Sequence, residues 1–157
     1  EKYKTDLSII KSVIKSNNQR KITLTKRIDK ILNNRLKNKN ITFLGVTFKP
    51  NTDDMREASS IPMINYLNKK GSKIRYYDPS GRKKEFDQLK NVKFYSNISS
   101  ACIKSDLIII HTEWNAFKLL DFKKLVKKKN FKVFDMRNIY SHDKMRNLKI
   151  DYTSIGR

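Results

Sequence analysis

The chain is short of the residues that cross-link and punctuate small proteins, with 1 Cys, 3 Pro, 4 Gly and 1 Trp among 157 residues. A lone thiol, Cys102, excludes an internal disulfide framework and a multi-cysteine zinc site. His111 and His142 stand far apart with no cysteine or carboxylate cluster beside either, so no metal site is expected. No apolar run approaches the roughly 18 residues that a membrane span requires, and no membrane partner is expected. The opening EKYKTDLSIIKS mixes charges with apolar positions, so no signal peptide is expected and a cytoplasmic setting is the default. Acidic residues are scarce as well: 15 Asp and Glu face 36 Lys and Arg, a formal charge of +21. Such an excess raises nucleic acid first. The basic residues are spread from Lys2 to Arg157, however, and a chain rich in Lys, Asn and Ile with only three Ala carries the bias of an A/T-rich genome. Solvated lysines therefore rank ahead of a dedicated nucleic-acid surface.

What is present changes character near residue 40. The first forty residues read as helix, with Leu7, Ile10 and Ile14 on one stripe and Ile28, Ile31, Leu32 and Leu36 on another. The segment is too polar elsewhere to build a core of its own, which predicts that its stripe packs on another part of the molecule or on a partner. NNRLKNKN is expected to act as a linker, giving a division into 1–40 and 41–157. From there short apolar runs alternate with helical stretches. ITFLGV (41–46), KIRYYD (73–78), DLIIIH (106–111) and FKVFD (131–135) predict strands, and VKFY (92–95) and IDYTSI (150–155) weaker ones. A helix is expected from about Ser60 to Lys70, with Pro62 in its first turn and Gly71 ending it. Further helices are expected over 97–104, 121–129 and 141–148, capped by Ser96, Asp121 and Ser141. Alternating strands and helices around an apolar central strand predict an α/β domain, Rossmann-like and doubly wound, on a mainly parallel sheet.

In that architecture ligands bind beyond the carboxyl ends of the strands, so the segments that follow strands carry the information. They are GVTFKPNTDDMREASSIP, YYDP, HTEWNAF, FDMRNIY and the terminal YTSIGR. Taken together and in this order, these motifs resemble the C-terminal domain of the UDP-glucose/GDP-mannose dehydrogenase family. TEW and DMRNIY favour its UDP-glucose branch. IKSNNQRKITLTKRI is similar to the end of the long helix that joins the family's central dimerisation domain to its last one. The resemblance implies a two-step, NAD-dependent oxidation of UDP-glucose to UDP-glucuronate. It further implies an N-terminal domain that holds NAD, a central domain that forms the dimer and carries a nucleophilic cysteine, and a homo-oligomer when complete. The glycines Gly45, Gly71, Gly81 and Gly156 form no GxGxxG turn, and no GGSCFPKD-like motif occurs. The chain, which begins at Glu1 and not at Met, is therefore expected to be a fragment that does not catalyse the reaction alone, with no catalytic residue of its own. A basic α/β nucleic-acid-binding module is the alternative, and a split or degenerate gene product with the fold and no activity is a third.

By the same resemblance Phe48, Lys49 and Arg137 are expected to contact UDP-glucose, and Arg56 to contact NAD. An ammonium just past the first strand suits phosphate or sugar oxygens, against the plain alternative of a solvated lysine. Arg56 is placed near the start of the following helix, where the helix dipole does not favour a cation. Its local alternative is an ion pair with Asp53, Asp54 or Glu57, and that of Arg137 is a set of bonds to loop carbonyls. Cys102 reads as a buried inert thiol. His111, at the end of the central strand, has no family role to import, and His142 reads as helix surface. Trp114 and Phe117 read as anchors of their loop. Asp78, an acid at the end of the second strand, weakly resembles a ribose-binding carboxylate.

Overall fold

Leu107, Ile108, Ile109 and Ile110 are apolar at every position, a pattern that fits a strand covered on both faces. In the computed structural model, which describes residues 8–156, they form β4 (Leu107–Ile110), and all four are buried. β4 pairs in parallel with β1 (Asn40–Leu44) and β5 (Lys132–Asp135). β2 (Lys73–Tyr77) and β3 (Val92–Phe94) continue the sheet beyond β1, and β6 (Asp151–Ser154) continues it beyond β5. The six-stranded order is β3-β2-β1-β4-β5-β6 with every pair parallel, the doubly wound arrangement. The chain reverses its direction of growth between β1 and β4, and that gap is where such sheets open a crevice.

Helices cover both faces. Ile41 and Phe43 of β1, with Leu107 and Ile109, join a core layer that includes Met63, Ile64 and Leu67 of α2 (Ser60–Lys69). Ile108 and Ile110 face the other way, onto a layer holding Cys102 of α3 (Ile98–Cys102), Phe122 of α4 (Phe122–Leu125) and Met145 of α5 (His142–Asn147). The alternation along β1 and β4 is the period of two that a strand requires.

α1 (Ser8–Ile31) divides into two halves. Ile28, with Leu32 and Leu36 beyond the helix end, is buried in the first core layer, whereas Ile9, Ile10, Val13, Ile14 and Ile22 are exposed. Leu7 lies outside the described residues. The stretch expected as a linker is tied down: Ser72 Oγ donates to the Leu36 carbonyl at 2.9 Å, and Asn38 N–H to that of Gly71 at 2.9 Å. Leu36 continues the Ile28/Leu32 stripe, which is the physical reason.

Smaller departures also have causes. α3 is capped by Asn97, not Ser96, the Asn97 side chain accepting from Ser100 N–H at 2.8 Å. Asp121 and Ser141 cap α4 and α5 as expected. α4 stops at Leu125, well short of residue 129, because the apolar spacing ends at Val126 and KKKN offers no face to bury; Lys127 N–H turns away to the Ile103 carbonyl at 3.1 Å. His142 is half-buried, its Nε2 2.7 Å from Ser154 Oγ and its ring against Tyr152, so it pins α5 to β6. Among the described residues no helix is long and apolar enough to cross a membrane, and no group of three metal-ligating side chains forms.

Candidate functional site

The backbone leaves β1 through Gly45, whose φ of +75° lies in the left-handed region. A Cβ there would stand 2.6 Å from Thr112 Cβ, so glycine lets the ends of β1 and β4 close on each other at the crevice. The next amides are then captured by one carboxylate. Asp78, buried at the end of β2, accepts Val46 N–H at 2.7 Å and Thr47 N–H at 3.3 Å on Oδ2. Its Oδ1 takes Ser80 N–H at 2.9 Å and the Ser80 hydroxyl at 2.5 Å. Both oxygens are engaged in holding the loop, so Asp78 is not a free ribose acceptor. Lys83, also buried, donates to Ser80 Oγ at 2.7 Å and extends the same network.

The loop's far end is fastened by Ser60, whose hydroxyl donates to the Val46 carbonyl at 2.5 Å, and its middle by Phe48 N–H to the Asp54 carbonyl at 3.0 Å. From this braced loop Phe48 projects at 51% exposure, and Lys49 is exposed beside it. No ion pair of Lys49 occurs among the described residues. A fixed backbone carrying one apolar face and one free ammonium is suited to a ligand with both a ring and an anion.

Arg56 sits in a turn four residues ahead of α2, not in its first turn, because Met55 and Ala58 are buried there and delay the helix. Its guanidinium grips Asp54, with Nη2 to Oδ2 at 2.9 Å and Nε to Oδ1 at 3.1 Å. These bonds hold the Asp54 carboxyl at about 2, below its ordinary value. At 90% side-chain exposure the fork faces outward from the domain. Glu57, with φ of +58°, pairs instead with Lys21 of α1 at 2.7 Å, which fastens the helix to this loop.

Arg137 follows β5 and bridges three loops. Its Nε–H donates to the His111 carbonyl at 2.7 Å and its Nη2 to the Phe48 carbonyl at 3.4 Å. Glu113 Oε2 is 2.8 Å from the same Nε but makes no hydrogen bond, so the carboxylate is held there by charge alone. The structure thus brings Arg137 to Phe48 and leaves its side chain 34% exposed at the crevice. Asp135, buried, organises the turn by accepting Arg137 N–H at 2.9 Å and Tyr140 N–H at 3.1 Å. Asn138 clamps the end of the chain, exchanging two 3.1 Å bonds with the Ile155 backbone.

Trp114 and Phe117 anchor their loop in the second core layer, Phe117 fully buried against Tyr77. Cys102 is buried, and burial pushes its thiol up to about 12, which removes it as a nucleophile at neutral pH. Sequence reasoning missed the roles of Asp78 and His111. Asp78 carried a signal, an acid directly after a strand. His111 carried none beyond its place at the end of β4.

A parallel doubly wound domain whose switch-point crevice presents a half-exposed aromatic, a free ammonium and a guanidinium defines a nucleotide-binding module. The comparisons with known proteins narrow this. Residues 42–142 match the model of the UDP-glucose/GDP-mannose dehydrogenase family, UDP binding domain, and the chain belongs to that family. A UDP-glucose 6-dehydrogenase of Rickettsia typhi is 36% identical over 160 residues, covering 99% of this chain and 37% of the relative. One of Bacillus subtilis is 38% identical over 160 residues, covering 97% and 35%. The chain therefore spans little more than a third of the length of these relatives. Among solved structures, a UDP-D-ManNAc dehydrogenase of Pyrococcus horikoshii superposes with a TM-score of 0.77 at 20% identity, over 99% of this chain and 35% of that one. A UDP-glucose dehydrogenase of Pyrobaculum islandicum gives 0.72 at 24%, over 94% and 32%. These two likenesses bear on the fold. Nothing among the comparisons supports the nucleic-acid alternative.

Proposed function

We propose that this domain holds the nucleotide sugar of an NAD-dependent UDP-glucose 6-dehydrogenase, which oxidises UDP-glucose to UDP-glucuronate, and that it does not catalyse the reaction by itself. The observation that carries the proposal is the braced loop after β1, which presents Phe48 and Lys49 at the crevice with Arg137 bonded to the Phe48 carbonyl. Lys49 meets a phosphate or sugar oxygen as a compact charge, Phe48 covers the ligand's apolar side, and Arg137 offers its remaining guanidinium N–H groups.

The described residues do not form a dinucleotide site. No glycine turn opens a helix after β1, and both Asp78 oxygens are committed. NAD is then held by an upstream domain, to which the outward fork of Arg56 is the contact this domain supplies. The nucleophile also comes from upstream, since Cys102 is buried and protonated. In this reading the complete enzyme is a cytoplasmic homo-oligomer, and residues 1–40 carry the end of its central helix.

Titration of the 157-residue chain with UDP-glucose is expected to show binding without NADH production. Lys49→Ala is expected to weaken UDP-glucose tenfold to a hundredfold, the loss of one charge-assisted bond of about 1.5–3 kcal/mol. Arg56→Ala, in the complete enzyme, is expected to raise the NAD requirement and leave that for UDP-glucose unchanged. Equal effects of both substitutions on both ligands would refute the assignment.

A further inference from the structure

Ser59 stands at the N-cap position of α2, where a serine hydroxyl ordinarily accepts a backbone N–H of the first turn. Here it does not: its φ and ψ are helical, at −67° and −14°, and its side chain makes no capping bond. The hydroxyl is committed elsewhere, 2.8 Å from Nε2 of His111, which is buried at the end of β4. The ring's other nitrogen, Nδ1, lies 3.1 Å from Thr112 Oγ1.

The direction of these bonds follows from counting protons. A threonine hydroxyl has one hydrogen, and that of Thr112 goes to the Thr47 carbonyl at 2.8 Å. Towards His111 it is only an acceptor, so Nδ1 carries the ring proton. The ring is neutral, since complete burial and the neighbouring Arg137 hold it down to about 3. A neutral ring with its proton on Nδ1 has a bare Nε2, and Ser59 must donate to it. The chain of bonds runs one way, from Ser59 to His111 to Thr112 to the Thr47 carbonyl. Its consequence is that the Ser59 oxygen keeps its lone pairs and has no hydrogen left to give.

Ser59 lines a cavity of about 520 Å³ between α1 and the β1–α2 loop, together with Phe48, Leu24, Arg20, Lys21 and Glu57. Phe48 places this cavity beside the site described above. We propose that Ser59 is an acceptor-only contact of that site, oriented by His111 so that it receives a hydroxyl or N–H donor of the bound nucleotide sugar. The proposal rests on the nucleotide-sugar reading of the domain. His111 is a positioning residue in it. The ring sets the direction of the serine hydroxyl, and the His111 carbonyl holds the Nε–H of Arg137.

Two measurements on the 157-residue chain test this. Nitrogen-15 spectra of the imidazole at neutral pH are expected to show His111 with its proton on Nδ1, and a proton on Nε2 overturns the proposal whatever the chain binds. Calorimetric titration with UDP-glucose and with UDP follows, for the wild type, Ser59→Ala, His111→Leu and His111→Gln. Ser59→Ala and His111→Leu are each expected to weaken UDP-glucose about threefold to tenfold, as for one neutral hydrogen bond. His111→Gln, whose amide both donates and accepts, is expected to restore binding to within about twofold of the wild type. A loss seen with UDP-glucose alone assigns the donor to the hexose, and a loss seen with both assigns it to the nucleotide. Wild-type binding that Ser59→Ala leaves unchanged overturns this proposal alone. A wild type that binds neither ligand overturns the nucleotide-sugar reading and this proposal with it.

Discussion

The two ends of the sheet solve the same problem in different ways. At the amino ends of the strands the backbone is satisfied mainly by backbone: Lys73 N–H reaches the Lys39 carbonyl, Asp106 N–H that of Asn40, and Lys132 N–H that of Asp106. Side chains there are free to be solvated lysines, as in Lys127 and Lys129. At the carboxyl ends the chain leaves the sheet in long loops, and buried side chains take over the bonding, with Asp78 on Val46 and Thr47, Thr112 on the Thr47 carbonyl and Asp135 on Arg137 and Tyr140. Backbone pairing is indifferent to composition, whereas capture by a buried carboxylate depends on that carboxylate. The Lys-rich bias can run through the first end without consequence, and the site is built at the second.

The sharpest way to break this comparison is to remove one aspartate from each end. Asp78→Ala leaves the Val46 and Thr47 amides and the Ser80 hydroxyl without their buried partner, and is expected to cost about 3–5 kcal/mol. Asp106 accepts one backbone N–H, from Asn40 at 2.8 Å, and its lysine partners Lys39 and Lys128 are at the rim. Asp106→Ala is expected to cost about 1–2 kcal/mol. Urea unfolding of both variants measures the difference, and equal losses would mean that the two ends are held alike.

A smaller contrast comes from two glycines with nearly the same backbone. Gly45 has φ of +75° and Gly71 of +79°, but a Cβ on Gly71 would meet nothing closer than Lys37 Cγ at 3.5 Å. Gly71→Ala then carries only the left-handed strain, about 1 kcal/mol. Gly45→Ala adds the clash with Thr112 and is expected to cost about 2–4 kcal/mol and to weaken UDP-glucose, since the β1 loop must move. Matched thermal melts and UDP-glucose titrations decide whether crowding at the crevice, and not φ alone, sets the cost.

Much of this was legible in the sequence, and the boundary between what was and was not is physical. Every strand announced itself through β-branched and aromatic runs, and Ser60–Lys69 through its spacing and Gly71, because local pattern and tertiary burial agree there. The caps Asp121 and Ser141 act within three residues, so they too could be read. Asp78 acts on residues 31 and 32 positions away, and no local pattern encodes such a bond. His111 was marked only as an oddity, since its side chain bonds Ser59 just ahead of α2 and its own neighbour Thr112, and its carbonyl bonds Arg137 in the loop after β5. Leu36 was read on the stripe of Ile28, Ile31 and Leu32, but the polar residues around it made the segment that carries it resemble a tether.

The last expected effect is read by pH, and it singles out His111 at the carboxyl end. His111 is neutral in the fold and held down to about 3 by burial and by Arg137, against an ordinary 6.5. A depressed value means that the stability tied to the neutral ring is present above about 6.5 and is lost as pH falls towards 3. The carboxylates with lowered values act later. Asp106 is held down by its bonds from Lys128 and Asn40, which outweigh the opposing effect of burial, and Glu57 is held down by Lys21. Each loses its contribution only below its own ordinary value, 3.8 for Asp106 and 4.5 for Glu57. Between about 6.5 and 4.5 the histidine at the carboxyl end is therefore exposed to acid while these carboxylates are not. The wild type is expected to lose at most about 1.4 kcal/mol per pH unit in that window, and His111→Gln, which has no proton to gain, to follow a flatter line. Unfolding free energies at half-unit steps from pH 7 to 4.5 measure both slopes. Parallel lines would mean that His111 is already protonated or solvated in the fold, and the one-way chain from Ser59 to the Thr47 carbonyl would then lose its middle member.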